Sequence, residues 1–113
     1  MNNAQLNHFQ KLDVYVVAKA LAVQVHRAKI RDAELRDQAT RAAKSAFLQL
    51  SEGLPNAGTA MRRKYFVCAR NSVCEVSAAL DLAIAIESVD PALGLEAQRT
   101  AARLGALLYG LLR

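Results

Sequence analysis

Residues 59–91 read TAMRRKYFVCARNSVCEVSAALDLAIAIESVDP, and this stretch decides the fold. From Thr59 to Ser88 there is neither Gly nor Pro. Phe66, Ala69, Val73, Val76, Ala79, Leu80, Ala83 and Ile86 recur at three- and four-residue steps, the spacing of one helical face. Thr59 is a cap for the start, and a helix of that extent is about 45 Å long. Asp90-Pro91 then places an N-cap before a proline at the first helical position, which announces another helix.

The same reading extends in both directions. Downstream, Leu93, Ala97, Ala101, Leu104, Leu108 and Leu111 mark the last helix. Upstream, Gly53, Pro55, Asn56 and Gly58 form the densest breaker cluster and end a helix that Asp32 caps, with Glu34 in its first turn. Its stripe is Leu35, Ala39, Ala42, Ala46 and Leu50, mostly small side chains that let a neighbour approach closely. In the first helix Leu12, Val16, Ala20, Val23 and Ile30 fall near one face, while Val14, Tyr15, Val17, Leu21 and Val25 widen the apolar stripe. Asp13 or Asn7 is its expected cap. The expectation is one all-α domain over 1–113, an antiparallel up-and-down four-helix bundle with helices near 9–30, 32–53, 59–88 and 91–112.

Composition agrees. In 113 residues, 53% are hydrophobic, with five Gly and two Pro. This excludes disorder, a collagenous chain and a disulfide scaffold, and disfavours an all-β fold short of turn residues. The polar start Met1-Asn2-Asn3-Ala4-Gln5 has no signal-peptide pattern. Lys19, Asp81 and Arg103 break the apolar runs below the roughly 18 residues of a membrane span. No membrane partner and a cytoplasmic location are expected. Cys68 and Cys74, six residues apart on one helix, point away from each other and read as reduced, small apolar side chains.

From Leu104 to Leu112 the last helix is apolar nearly all round, more than one chain is expected to cover. Leu104, Leu107, Leu108 and Leu111 are therefore candidates for an oligomer interface. On this reading Leu108→Glu breaks the oligomer and leaves a helical monomer.

Catalytic patterns are missing. Neither His8 nor His26 lies three residues after a Glu, as a di-metal bundle site needs, and the cysteines make no C-x-x-C pair. His26 reads as a helix-edge side chain. The Gly53–Gly58 loop is not a P-loop, and Ser45, Ser51, Ser72 and Ser77 have no His placed to activate them. Glu52, Glu75 and Asp81 could in principle do acid–base work; the plainer expectation pairs Glu75 and Asp81 with Arg41, Arg70 or Lys44 across helices. No enzyme, metal or cofactor is expected.

Fifteen Lys and Arg against ten Asp and Glu leave a formal charge of +5. One basic cluster is Lys29, Arg31, Arg36, Arg41 and Lys44; another is Arg62, Arg63, Lys64 and Arg70. Both can attract phosphate backbones, and both can be solubility charge. Arg62-Arg63-Lys64-Tyr65-Phe66 reads either as phosphate contacts with an aromatic for base stacking, or as a basic turn with Tyr65 and Phe66 in the core.

Phe9-Gln10-Lys11-Leu12-Asp13-Val14-Tyr15, Gln38 with Arg41-Ala42-Ala43-Lys44-Ser45, Ser51-Glu52-Gly53, and Tyr65 through Val76 together resemble a bacterial family. It is the four-helix bundle family encoded by intervening sequences in 23S rRNA genes (S23), to which the accessory variability protein of diversity-generating retroelements is related. The resemblance spans residues 9 to 88 and puts Gln38, Arg41, Ser45, Glu52, Gly53, Ala69, Arg70, Ser72 and Glu75 at motif positions. It implies a ring, typically a homopentamer with a central channel, and a basic surface facing RNA or DNA. A polymerase-type protein partner is implied by the retroelement relative. Candidate nucleic-acid contacts are Arg41, Lys44, Arg62, Arg63, Lys64 and Arg70; the alternative is a protein–protein adaptor or scaffold without nucleic acid. Phe47 and Gln49 stand where the family has a Pro and an Asn, and Asn71 where it has a Gly, so the second helix is expected to be straighter.

Overall fold

A computed structural model of the chain describes residues 12–56 and 58–113, which form four helices and no strand. They are α1 (Asp13–Ala28), α2 (Ala33–Gly53), α3 (Thr59–Ala85) and α4 (Pro91–Leu112). Each packs on its neighbours in the chain, and α4 closes the square against α1, while the backbones of the diagonal pairs stay apart.

Two helix starts follow their capping residues. The Asp32 carboxylate accepts from the Leu35 N–H at 2.9 Å, and Asp90 accepts from the Leu93 N–H at 3.1 Å with Pro91 in the first turn. The other two starts differ from expectation. Gly58 holds the N-cap position of α3, so Thr59 is its first helical residue and caps nothing. Leu12 precedes α1 in extended backbone, and Asp13 sits inside the first turn, where its charge meets the positive end of the helix. Asn7 and the expected start near residue 9 lie outside the described residues.

α3 stops three residues before Ser88. Glu87 takes a left-handed φ of 58°, its N–H donates to the Ile84 carbonyl at 3.1 Å, and the Ser88 N–H donates to the Ala83 carbonyl at 2.8 Å. That pair of bonds is a Schellman motif, which satisfies carbonyls that the helix end would leave open. α1 ends on a second left-handed residue, Lys29, with φ of 49°. Neither stop carries a Gly, so neither is visible as a C-terminal signal in the sequence.

These two turns hold each other. The Arg31 N–H donates to the Ser88 carbonyl at 2.7 Å, the Asp32 N–H donates to Ser88 Oγ at 2.6 Å, and the Arg31 guanidinium donates to the Glu87 carbonyl. At the opposite end Arg63 Nη1 donates to the Leu112 carbonyl at 2.7 Å. The C-termini of α1 and α3 therefore share one end, and the C-terminus of α4 meets the start of α3 at the other. The bundle is antiparallel and up-and-down.

The core corrects two sequence readings. In α1 the buried face is Val14, Val17, Ala18, Leu21, Val25 and Ala28; Leu12, Val16 and Val23, read as the main stripe, are 39%, 50% and 38% exposed. In α4 the chain's own bundle covers Leu104 and Leu108 completely. A side chain already covered has nothing to offer a second copy, so these two leave the list of interface candidates; Leu107 is half-buried and Leu111 is exposed. A charge at Leu108 would lie in the core, so Leu108→Glu unfolds the bundle instead of releasing an intact monomer.

Urea unfolding separates the two roles. Leu108→Ala is expected to lose about 2–5 kcal/mol of stability to lost burial and a cavity. Leu111→Ala is expected to stay within about 0.5 kcal/mol of the parent.

Candidate functional site

The seam between α2 and α3 is the most extensive helix contact in the bundle. Ala39, Ala42, Ala43 and Ala46 on α2 and Ala69 on α3 are buried there or in the adjoining core, and small side chains bring helix backbones together. At the far end of α2, a Cβ on Gly53 would lie 2.8 Å from a Phe66 ring carbon and 3.0 Å from Tyr65 Cβ. Hydrogen is all that fits. Midway along, Ser72 Oγ donates to Ser45 Oγ at 3.1 Å.

Where the two helices diverge toward solvent, Gln38, Arg41, Ala42, Ser45, Ser72 and Glu75 line a cleft of about 350 Å³. Five of the nine motif positions thus converge on one depression. Glu52 lies on the same flank of α2, two helical heptads beyond Gln38, and its carboxylate beside Tyr65 raises the phenol's pKa. Ala69 is buried behind the seam. Arg70 is elsewhere: two residues from Ser72 turn it about 160° around α3, onto the far flank. In α2, Phe47 replaces the family's Pro without interrupting the helix, and its ring packs edge-on to Tyr15 with centroids 5.0 Å apart.

The expected cross-helix ion pairs do not form. Among the described residues the single pair is Arg36 with Asp37 at 3.9 Å, and both side chains are exposed. Glu75, Asp81, Arg41, Lys44 and Arg70 are free of one another, because the antiparallel seam leaves Arg41 and Glu75 on opposite lips of the cleft without closing the gap. The two serines are bonded to each other, and the ionisable side chains lining their cleft are Arg41 and Glu75, with no imidazole among them. Among the described residues no three His, Cys, Asp or Glu side chains converge as a metal site would require.

The basic residues divide into two sets. At the α1–α2 end, His26, Lys29, Ile30, Arg31, Arg36 and Thr40 line one depression of about 490 Å³. His26, Arg36, Asp37, Thr40, Arg41 and Lys44 line another of about 580 Å³. Sharing three residues, they make one continuous tract with five Lys and Arg against a single carboxylate, Asp37. The sequence groups Lys29, Arg31, Arg36, Arg41 and Lys44 as one basic cluster, but only Arg41 and Lys44 of these were candidate contacts, and His26 was read as a helix edge. Their i, i+4, i+8 register on α2 (Arg36, Thr40, Lys44) was the available signal, and the turn that folds α1 onto it was not.

The second set is engaged by the bundle. Arg63 caps α4 through the Leu112 carbonyl, and the Arg62 guanidinium lies 5.3 Å from the centre of the Phe66 ring. Phe66 is buried and Tyr65 half-buried, so this run offers no open aromatic face for base stacking. Lys64 alone of the three has no described partner.

Taken together, the geometry defines a small all-α bundle with a polar cleft at its tightest seam and a basic tract beside it. The model of the 23S rRNA-intervening sequence protein family matches residues 10–110, and the chain belongs to that family. The match takes in α4, which the motif resemblance left out. A comparison with curated proteins finds no match. Among the described residues no helix is long and apolar enough to cross a membrane.

Gly53→Ala tests the seam. Its methyl group would meet the Phe66 ring, and about 1–3 kcal/mol of stability should be lost in thermal or urea unfolding. At an ordinary helix terminus the same change would be neutral or stabilising.

Proposed function

We propose that this chain is a non-enzymatic, ring-forming homo-oligomer, a pentamer, whose basic tract contacts the phosphate backbone of RNA or DNA. The observation that carries the nucleic-acid part is the tract itself: Lys29, Arg31, Arg36, Arg41 and Lys44 gathered around two adjoining depressions with one opposing carboxylate. Cations so placed displace condensed counterions from a polyphosphate, a term that depends on charge and not on sequence. No Phe, Tyr or Trp lines either depression, and His26 is their one ring, which favours a duplex backbone over a run of stacked single-strand bases. Of the six expected contacts, Arg41 and Lys44 belong to the tract; Arg63 serves the fold, and Arg62, Lys64 and Arg70 are secondary.

Support for assembly comes from large apolar side chains left on outward faces, among them Val16, Leu48, Leu82, Ile86, Leu95 and Tyr109. A cytoplasmic setting accords with Cys68 and Cys74, which are both unpaired.

Fluorescence anisotropy with a labelled duplex of about 20 base pairs tests the reading. Five phosphate contacts give a slope of log affinity against log salt near −4.5, so affinity should fall several-hundred-fold between about 50 and about 200 mM salt. Replacing Arg36, Arg41 and Lys44 together by Gln should flatten that slope by about three contacts' worth. An assembled protein with no salt-sensitive complex would overturn the nucleic-acid reading in favour of a protein–protein adaptor.

A further inference from the structure

Arg41 belongs to two depressions of opposite character. It lines the basic tract together with Thr40 and Lys44, and it lines the α2–α3 cleft together with Gln38, Ser45, Ser72 and Glu75. Helical geometry explains the overlap. At about 100° per residue, Ser45 and Gln38 lie about 40° and 60° to one side of Arg41 on α2, and Lys44 and Thr40 about 60° and 100° to the other. Cleft and tract are therefore neighbours across a single side chain. The tract gathers five cations, whereas the cleft sets one cation against one carboxylate among uncharged polar groups.

That lining selects which part of a nucleic acid held on the tract can enter the cleft. A phosphate is repelled by Glu75, whose carboxylate has no ion-pair partner among the described residues. A base finds no Phe, Tyr, Trp or His to stack on. A sugar hydroxyl meets what it needs. The Glu75 carboxylate accepts, the Gln38 amide accepts and donates, and Ser45 Oγ, which accepts from Ser72 Oγ at 3.1 Å, keeps its own O–H to donate. Ser72 is only 8% exposed, so a buried side chain holds the Ser45 hydroxyl from behind.

In an A-form RNA duplex the 2′-hydroxyls line a wide, shallow minor groove beside the phosphates, and they are the donors that DNA lacks. We propose that the α2–α3 cleft receives a ribose 2′-hydroxyl, with Glu75 as its acceptor, from an RNA duplex whose phosphates lie along the tract. The surface then prefers RNA to DNA. RNA offers the Glu75 carboxylate an O–H to bond, while DNA brings the same carboxylate against a polyanion with no donor in exchange. This deepens the nucleic-acid reading, on which it rests, by naming the polymer.

Fluorescence anisotropy of the full chain tests this at one fixed salt concentration, with duplexes of one sequence made as RNA, DNA and 2′-fluoro-RNA. The 2′-fluoro duplex keeps the A-form and its phosphates but has no 2′ O–H. The parent should bind RNA about ten-fold more tightly than either of the others, the worth of one hydrogen bond to a carboxylate. Glu75→Gln, at an exposed position, should reduce that ratio to about two-fold or less. Lys44→Gln, in the tract, should weaken all three complexes alike and leave the ratio unchanged. Equal affinity for RNA and DNA, equal affinity for RNA and 2′-fluoro-RNA, or a preference that survives Glu75→Gln would each overturn the proposal while the tract stands. If no duplex forms a salt-sensitive complex, the tract reading falls and this proposal falls with it.

Discussion

The close approach of α2 to α3 is the constraint on which the rest depends. α2 meets its neighbour with alanines, a serine and a glycine, and the single hydrogen of Gly53 is all that the Phe66 ring leaves room for. Small residues at a helix seam yield little burial apiece, so the larger apolar contribution comes from Leu21, Leu50, Leu80, Leu104 and Leu108 in the centre. What the seam supplies is position. It fixes how far apart the flanks of α2 and α3 lie, and hence that Gln38, Arg41, Ser45, Ser72 and Glu75 meet at one cleft.

That division explains what could be read from the chain without coordinates. Helix number, order and most boundaries were legible because Asp32, Asp90-Pro91 and the Gly53–Gly58 cluster are strong local signals whose physics involves only neighbouring residues. The ends of α1 and α3 were less legible, since Lys29 and Glu87 adopt a conformation that Gly would have advertised. Which stripe of α1 is buried could not be decided by periodicity. Two apolar stripes coexist there, and only the positions of α2 and α4 select Val14, Val17, Leu21 and Val25 over Leu12, Val16 and Val23. Burial of Leu104 and Leu108 was misjudged for a related reason: a helix apolar on most sides shows that something covers it, not whether the cover is its own chain.

Charge shows the same difference between residue type and role. Arg62, Arg63 and Lys64 are the densest basic run in the sequence, yet Arg63 closes the end of α4 and Arg62 shields a buried aromatic ring. The weaker-looking positions at the α1–α2 turn gather into a tract because left-handed Lys29 folds one helix back beside the next. Arg31 and Arg36 likewise donate to the carbonyls of Glu87 and Ile30, so cations at both ends of the bundle serve the fold. What distinguishes the α1–α2 end is that five of them line one tract.

The clasp between the two turns links these observations. Arg31 is both a member of the basic tract and the residue whose backbone and guanidinium hold the Glu87–Ser88 turn. That turn closes α3 next to Leu82 and Ile86, two exposed apolar side chains at and just past the helix end. A ligand drawing Arg31 outward would exchange its guanidinium bond to Glu87 for one to phosphate, leaving the backbone bonds to Ser88 in place. The basic tract and the end of α3 are thus tied through one residue, Arg31.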